Sequence, residues 1–249
     1  MSYDPVVADG VLALERPGTR WLSTGHDGGY ATGGAAYNVS VPTGFGRTDL
    51  ERYVEGRLDE AGFDAAGPSL LTGVELRHAR CARCGPVLAC ATAGVSNPAE
   101  LPMEPDGAAP RTPDPDPDPA HDGTVNLLVG ADRALGDGAL ASLLGVVVEA
   151  KAATLLGTVG VPGTTSDAAV VGCAPAAEPA RFAGSATTVG SAARACVRDA
   201  LRASLASRYT EEPPPAGVAE AEHGVRTDRR ASVFAPGERD SSGRTDGGV

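Results

Sequence analysis

The sequence predicts a single-domain α/β protein: a mixed β-sheet covered by about three main helices, with a disordered acidic insert and a disordered C-terminal tail. Three observations lead there. Hydrophobic residues make up 42% of the 249-residue chain, enough to build a real core. Short aliphatic runs and longer helical patterns alternate, but only roughly, which favours a mixed sheet over a strict doubly wound fold. Two stretches, 99–122 and 210–249, have nothing to bury. The domain is therefore assigned to residues 1–209, with 99–122 a Pro/Asp-rich surface loop within it and 210–249 the tail.

Val11–Glu15 and Arg20–Thr24 read as short strands separated by the turn signal Pro17-Gly18. Ala36–Val41 is a third strand. Thr48-Asp49-Leu50-Glu51 has the form of a capping box, and its helix should stop at Gly62. Leu70–Leu76 and Pro86–Ala93 look like the two strands of a hairpin. The run from Pro113 to Pro119, alternating Pro and Asp, lacks the backbone donors a sheet needs and is held extended by proline and charge repulsion. Order resumes with a strand at Thr124–Gly130, a long apolar helix that Asp137 caps and that runs to Leu156, a strand at Asp167–Cys173 and a helix over Thr187–Ser207. After Tyr209 the chain turns polar and rich in Pro, Gly and Ser.

Charge narrows the function. The net charge of −11 argues against nucleic acid and anionic membrane as partners. The longest apolar run, Leu143–Val148, ends at Glu149, far short of a membrane span, and Asp4 and Asp9 stand where an export signal would be basic. These readings place the protein in the cytoplasm. Of 21 basic residues only Lys151 is a lysine. A surface rich in carboxylates and poor in lysine suits a salt-rich cytoplasm, although codon drift in a GC-rich genome gives the same bias. Five cysteines, an odd number without an export signal, argue against a disulfide framework.

Three glycine-rich stretches stand at strand ends: Gly25-His26-Asp27-Gly28-Gly29, Ala93-Gly94-Val95-Ser96-Asn97-Pro98 and Gly163-Thr164-Thr165-Ser166-Asp167. One such loop is an ordinary turn; three in one domain suggest a site where backbone approaches a ligand. None matches a phosphate loop or dinucleotide fingerprint. His78-x-x-Cys81-x-x-Cys84, with Cys90 nearby, has the spacing of a partial zinc site, but no second C-x-x-C pair completes it, so no metal is assigned. Gly123-Thr124 admits two readings: the start of a strand, or a threonine freed by self-cleavage to act as an amine-activated nucleophile.

The helix around Lys151 is apolar on every face and should be central. Glu149 and Lys151 lie two residues and roughly 200° apart, so they cannot pair on the helix surface. Val147, Val148 and Leu155 surround Lys151, which therefore lies on an apolar face: an amine kept for its chemistry, against the alternatives of a snorkelling lysine or a structural ion pair with an acid such as Asp167. Arg194, Arg198 and Arg202 form a basic stripe on the last helix, read first as a solvated face.

Taken together, Trp21–Gly25, Ala36–Pro42, Leu71–Val74, the A-T-A-G-V-S-N-P stretch from Ala91 to Pro98, Gly123-Thr124-Val125-Asn126, Glu149-Ala150-Lys151 and Gly163–Asp167 resemble the adenosylcobinamide amidohydrolase family over about residues 20–205. The resemblance implies hydrolysis of the amide between the aminopropanol arm and the corrin ring, giving adenosylcobyric acid for cobalamin salvage. It implies a corrinoid as the one small-molecule partner and no required cofactor, cobalt entering only with the substrate. For such a hydrolysis the catalytic residues expected here are Glu149 or Asp167 as base, Lys151 as oxyanion partner or proton source, and Ser96 and Thr165 as rival nucleophiles. Asn38, Thr72, Asn97, Asn126, Thr165, Gly28 and Gly29 are the implied substrate-binding residues. A non-catalytic corrinoid carrier and a small zinc-binding module are the competing classes.

Overall fold

The computed structural model describes residues 2–42, 44–105, 123–175, 178–221 and 223–236. Ten strands and three helices follow in chain order: β1 (Asp4–Ala8), β2 (Val11–Ser23), β3 (Gly29–Ser40), α1 (Leu50–Glu60), β4 (Ser69–Thr72), β5 (Arg80–Cys84), β6 (Val87–Ala93), β7 (Ala99–Glu100), β8 (Val125–Ala131), α2 (Asp137–Val159), β9 (Ala168–Cys173), α3 (Thr188–Arg208) and β10 (Val225–Arg226). Eight strands form one mixed sheet in the order β4-β3-β2-β9-β8-β6-β5, with β1 paired to β2. The parallel pairs are β3 with β4 and β8 with β9.

β2 is the hinge of this sheet. Its first half pairs with β1 and β3, its second with β3 and β9, and the register shifts between Glu15 and Thr19. The expected turn at Pro17-Gly18 is thus a bulge inside one long strand, with Gly18 supplying a φ of +69°. Beyond it the sheet coils over itself. Leu12, Leu14 and Trp21 of β2, Ala36 of β3 and Leu70 of β4 pack face to face with Leu88 and Cys90 of β6, Leu128 of β8 and Val170 of β9. The alternate residues point outward. Val11, Ala13, Tyr37 and Val39 meet Tyr53 and Leu58 of α1 and Phe63 just beyond it, while Ala89, Leu127, Val129 and Val171 meet α2 and α3. The result is four layers, helix, sheet, sheet and helix. All seven residues of β6 and of β8 are buried because both faces are covered, which is why these strands read as unbroken apolar runs.

Several local expectations change. The hairpin is β5–β6, closed at Gly85-Pro86, and Leu70 belongs to β4, an edge strand parallel to β3. The hydrophobic run Leu70–Leu76 carried no information about its partner. Neither Thr48 nor Asp137 acts as expected: Asp49 and Gly136 are the N-caps of α1 and α2, without side-chain caps, and Asp137 instead pairs with Arg20 at 2.9 Å. Gly62, at φ +76°, does follow α1, and Thr187 caps α3 by accepting from Gly190 N. Cys81 and Cys90 face one another across β5–β6 and form a disulfide, contrary to expectation. Helix α2 is not buried all round. Val148 and Leu156 are about half exposed, on a face that also carries Glu149. By length and composition α2 could cross a membrane, yet it packs as a core helix, contributing Leu140, Leu143, Val147 and Leu155 to the largest cluster.

The two compositionally irregular stretches meet. Val225–Arg226 pairs in parallel with Ala99–Glu100, and Glu100 accepts from Val218 N at 2.7 Å. The remainder of the insert, 106–122, and the tail beyond 236 lie outside the described residues.

Candidate active site

Ser23 at the end of β2, Ala93 at the end of β6, and the starts of β8 and β9 lie at one edge of the sheet, because β2 and β6 run against β9 and β8. The coil of the sheet brings the end of β4 over them. Between these strand ends lies a cleft of about 410 Å³ lined by Thr24, Gly25, His26, Thr72, Gly73, Thr124, Ser166 and Asp167, with Phe45 and Arg47 reaching over from the connection between β3 and α1.

At its inner wall the only lysine meets its partner. Lys151 Nζ, from the middle of α2, donates to Asp167 Oδ2. The same carboxylate accepts from Thr164 N and Val125 N, each at 3.1 Å, and from the Thr164 hydroxyl. Side-chain exposures of 13% for Lys151 and 12% for Asp167 make this a largely desolvated pair. Four donors on one carboxylate satisfy its charge, and they tie α2, the loop before β9 and the start of β8 to a single point. The apolar helix face expected around Lys151 leaves the amine part-buried, and Asp167 is the acid it pairs with.

Glu149 is not brought to this cluster. It lies on the exposed face of α2 and pairs with Arg194 of α3. The small residues around it admit solvent and the arginine from α3; they do not enclose a site. Arg198 pairs with Asp199 at 2.7 Å, so two members of the basic stripe are engaged on the surface.

The asparagines divide into two groups. Asn38 Nδ2 donates to Thr92 Oγ1 at 2.9 Å, and Asn126 Nδ2 donates to Asn38 Oδ1 and to the Leu71 carbonyl at 2.8 Å. This network is fully buried and clamps β3 and β4 against β6 and β8, beneath the cleft rather than on its wall. Asn97 lies at the other side, where Nδ2 donates to Thr165 Oγ1 at 2.7 Å. Thr72 lines the cleft, its hydroxyl accepting from Val74 N at 3.0 Å. Gly28 and Gly29 form the exposed β2–β3 turn and do not line it; Gly25 and His26, from the same loop, do. Ser96 and Asn97 pack against Gly123, where a Cβ would overlap the Ser96 main chain and both side chains. Ser166 is a site residue that sequence reasoning passed over, although it stands inside the G-T-T-S-D stretch. Arg47 carried no signal at all.

His78 and the cysteines do not form a ligand set. Cys81 is bonded to Cys90, and His78 Nδ1 lies 3.1 Å from Ser207 Oγ.

The family model described as adenosylcobinamide amidohydrolase matches residues 3–213. A protein of Halobacterium salinarum bearing the same description is 52% identical over 236 residues, which cover 94% of this chain and 100% of the relative. The match takes in all four layers and every strand end around the cleft, so the chain belongs to the adenosylcobinamide amidohydrolase family.

Proposed function

We propose that the cleft at the strand ends is where this enzyme hydrolyses the amide joining the aminopropanol arm of adenosylcobinamide to the corrin ring. One observation carries the reading: stretches scattered from Thr24 to Asp167, including Thr72-Gly73, Thr124 and Ser166, converge on one cleft. That volume suits a small group. The arm and its amide enter it, while the much larger ring stays at the mouth beneath Phe45 and Arg47.

Amide hydrolysis needs a nucleophile, donors for the developing oxyanion and a proton for the departing amine. Thr24, His26, Arg47, Thr72, Thr124, Ser166 and Asp167 are the polar side chains that line the cleft. The Lys151–Asp167 pair is a positioning element: through Val125 N it fixes the first residues of β8, and through Thr164 the loop that carries Ser166. Ser96 and Asn97 support Gly123 from behind. Water is the only co-reactant the balance requires, so no cofactor is invoked. The product, adenosylcobyric acid, carries a free carboxylate that biosynthesis can amidate again, which makes this a cytoplasmic salvage reaction. With 32 acidic residues against 21 basic ones, the protein is suited to a salt-rich cell.

Incubation with adenosylcobinamide followed by chromatography tests the reading. Hydrolysis yields aminopropanol and adenosylcobyric acid in equal amounts, whereas a carrier returns the corrinoid unchanged.

A further inference from the structure

The hydrolysis leaves one chemical role unfilled, the group that attacks the acyl carbon. We propose that Thr124 is this nucleophile, and that the chain makes it by cutting its own Gly123–Thr124 bond and so freeing the threonine amine. The inference rests on the functional reading above.

Thr124 is the residue before β8 and lines the cleft beside Ser166 and Asp167. Its hydroxyl donates to the Ser166 carbonyl at 2.7 Å, and the Ser166 hydroxyl donates to the Gly123 carbonyl at 3.1 Å. Ser166 thus holds the threonine hydroxyl with one group and polarises the preceding carbonyl with the other. Nucleophile and electrophile of a self-cleavage are adjacent in the chain, and a single residue fixes both. On its other side Gly123 is enclosed by Ser96 and Asn97, so closely that only glycine fits.

A second observation points the same way. Asn97 is 1% exposed, yet its Oδ1 has no hydrogen-bond partner, and neither has the buried Ser96 Oγ. Both atoms face Gly123. A buried acceptor without a donor costs about 1–3 kcal/mol and is rare in a native protein. An amine released at Thr124 would supply donors at this spot, so the pocket is completed by the cut.

The chemistry balances with water. Thr124 Oγ1 attacks the Gly123 carbonyl carbon, the C–N bond breaks, and the hydroxyl proton passes to the departing nitrogen. The resulting ester between Gly123 and Thr124 Oγ1 is hydrolysed by water, leaving a Gly123 carboxylate and a threonine with free amine and hydroxyl. In turnover the amine, whose ordinary pKa is roughly 8, takes the proton from Oγ1 as it attacks the substrate amide. Aminopropanol leaves with that proton, and a second water cleaves the acyl-threonine ester. The fold tolerates the cut, because β8 pairs with β6 on one side and with β9 on the other, and β9 pairs with β2. The two pieces remain interlocked.

The test is the mass of the denatured full-length protein, with N-terminal sequencing. Two polypeptides are expected, residues 1–123 and 124–249, the second beginning Thr-Val-Asn. Thr124→Val keeps the shape and removes the hydroxyl; it should stay uncut, fold by circular dichroism and lose at least about 1,000-fold in adenosylcobinamide hydrolysis. Thr124→Ser should cut and retain activity, a rescue that a structural role would not produce. Should the valine variant fail to fold, Ser166→Ala should slow the cut, read as intact chain disappearing with time. An intact wild-type chain that hydrolyses the substrate, or an active Thr124→Val, overturns the inference and leaves the functional reading standing. A chain cut at this bond that returns the corrinoid unchanged keeps the self-cleavage and overturns the functional reading.

Discussion

Lys151 and Asp167 join the middle of α2 to the start of β9, and the carboxylate that receives the ammonium also holds the backbone of Val125, next to Thr124. Removing the amine leaves a desolvated carboxylate with three donors in place of four. Breaking such a pair ordinarily costs about 3–5 kcal/mol, and the remaining donors should reduce this to about 2–3 kcal/mol for Lys151→Met in urea unfolding. Hydrolysis should fall at least about tenfold, a loss of roughly 1.4 kcal/mol in the barrier. Lys151→Arg should recover part of the stability but not the rate, since Nζ abuts Gly163 and a planar guanidinium does not fit there. Unchanged unfolding and full activity in Lys151→Met would remove the pair from the site.

Trp21 and Gly172 test the coiled sheet. The indole is fully buried on β2, stands edge-on to Tyr3 with centroids 5.8 Å apart, and lies over Gly172 on β9. A Cβ at residue 172 would overlap the ring. Gly172→Ala should therefore push the indole aside, at a cost of about 1–3 kcal/mol typical of overpacking. Because Trp21 is the only tryptophan, a red shift of the emission reports the displacement directly. Emission unchanged from wild type would mean that the two strands do not pack as described.

How much of this was legible in the sequence follows from what sequence patterns encode. Local periodicity found the longer strands, the three helices and the apolar setting of Lys151, because each depends on neighbours three or four residues away or on alternate residues, whereas β1, β5, β7 and β10 went unseen. Pairing was not local. Leu70 could have joined any strand, and the bulge at Gly18 looked like a turn because the same dipeptide serves both. Glu149 was misplaced for a related reason: α2 is apolar on nearly all sides, so its pattern could not say which face met solvent. The cleft was half visible. Its glycine-rich loops stood out, but that Ser166 would reach Gly123, 43 residues away in the chain, is a product of β8 and β9 lying parallel.

The cysteines give a prediction that needs no substrate. Cys81 and Cys90 are bonded across the hairpin, Cys84 is free and exposed, and Cys173 and Cys196 are free and buried. Burial raises the thiol pKa of Cys173, and that of Cys196 to about 11. Protein prepared without reductant should show one rapidly alkylated thiol, Cys84, and two that react only on unfolding. Reduction should expose two more and lower stability by up to about 3 kcal/mol, as expected for a short closed loop. Five reactive thiols in unreduced, denatured protein would show that the pair is open.

Tyr37 links the α1 face to alkaline pH. Its hydroxyl donates to the Ala65 carbonyl at 2.7 Å, and burial foremost, with Glu15 and Asp64 nearby, pushes its pKa up to about 12. The unfolded phenol ionises near about 10. Between these values the folded chain holds a proton that the unfolded chain has lost, so the contribution is complete below about pH 10 and falls as pH rises toward 12. Tyr3 is raised in the same direction by burial and adds to the slope. Tyr37→Phe should lose about 1 kcal/mol at neutral pH through the missing hydrogen bond, yet it should show a shallower alkaline decline. The unfolding midpoints of the two proteins should therefore converge as pH rises, and parallel curves would mean that this phenol titrates as freely in the folded protein as in the unfolded chain.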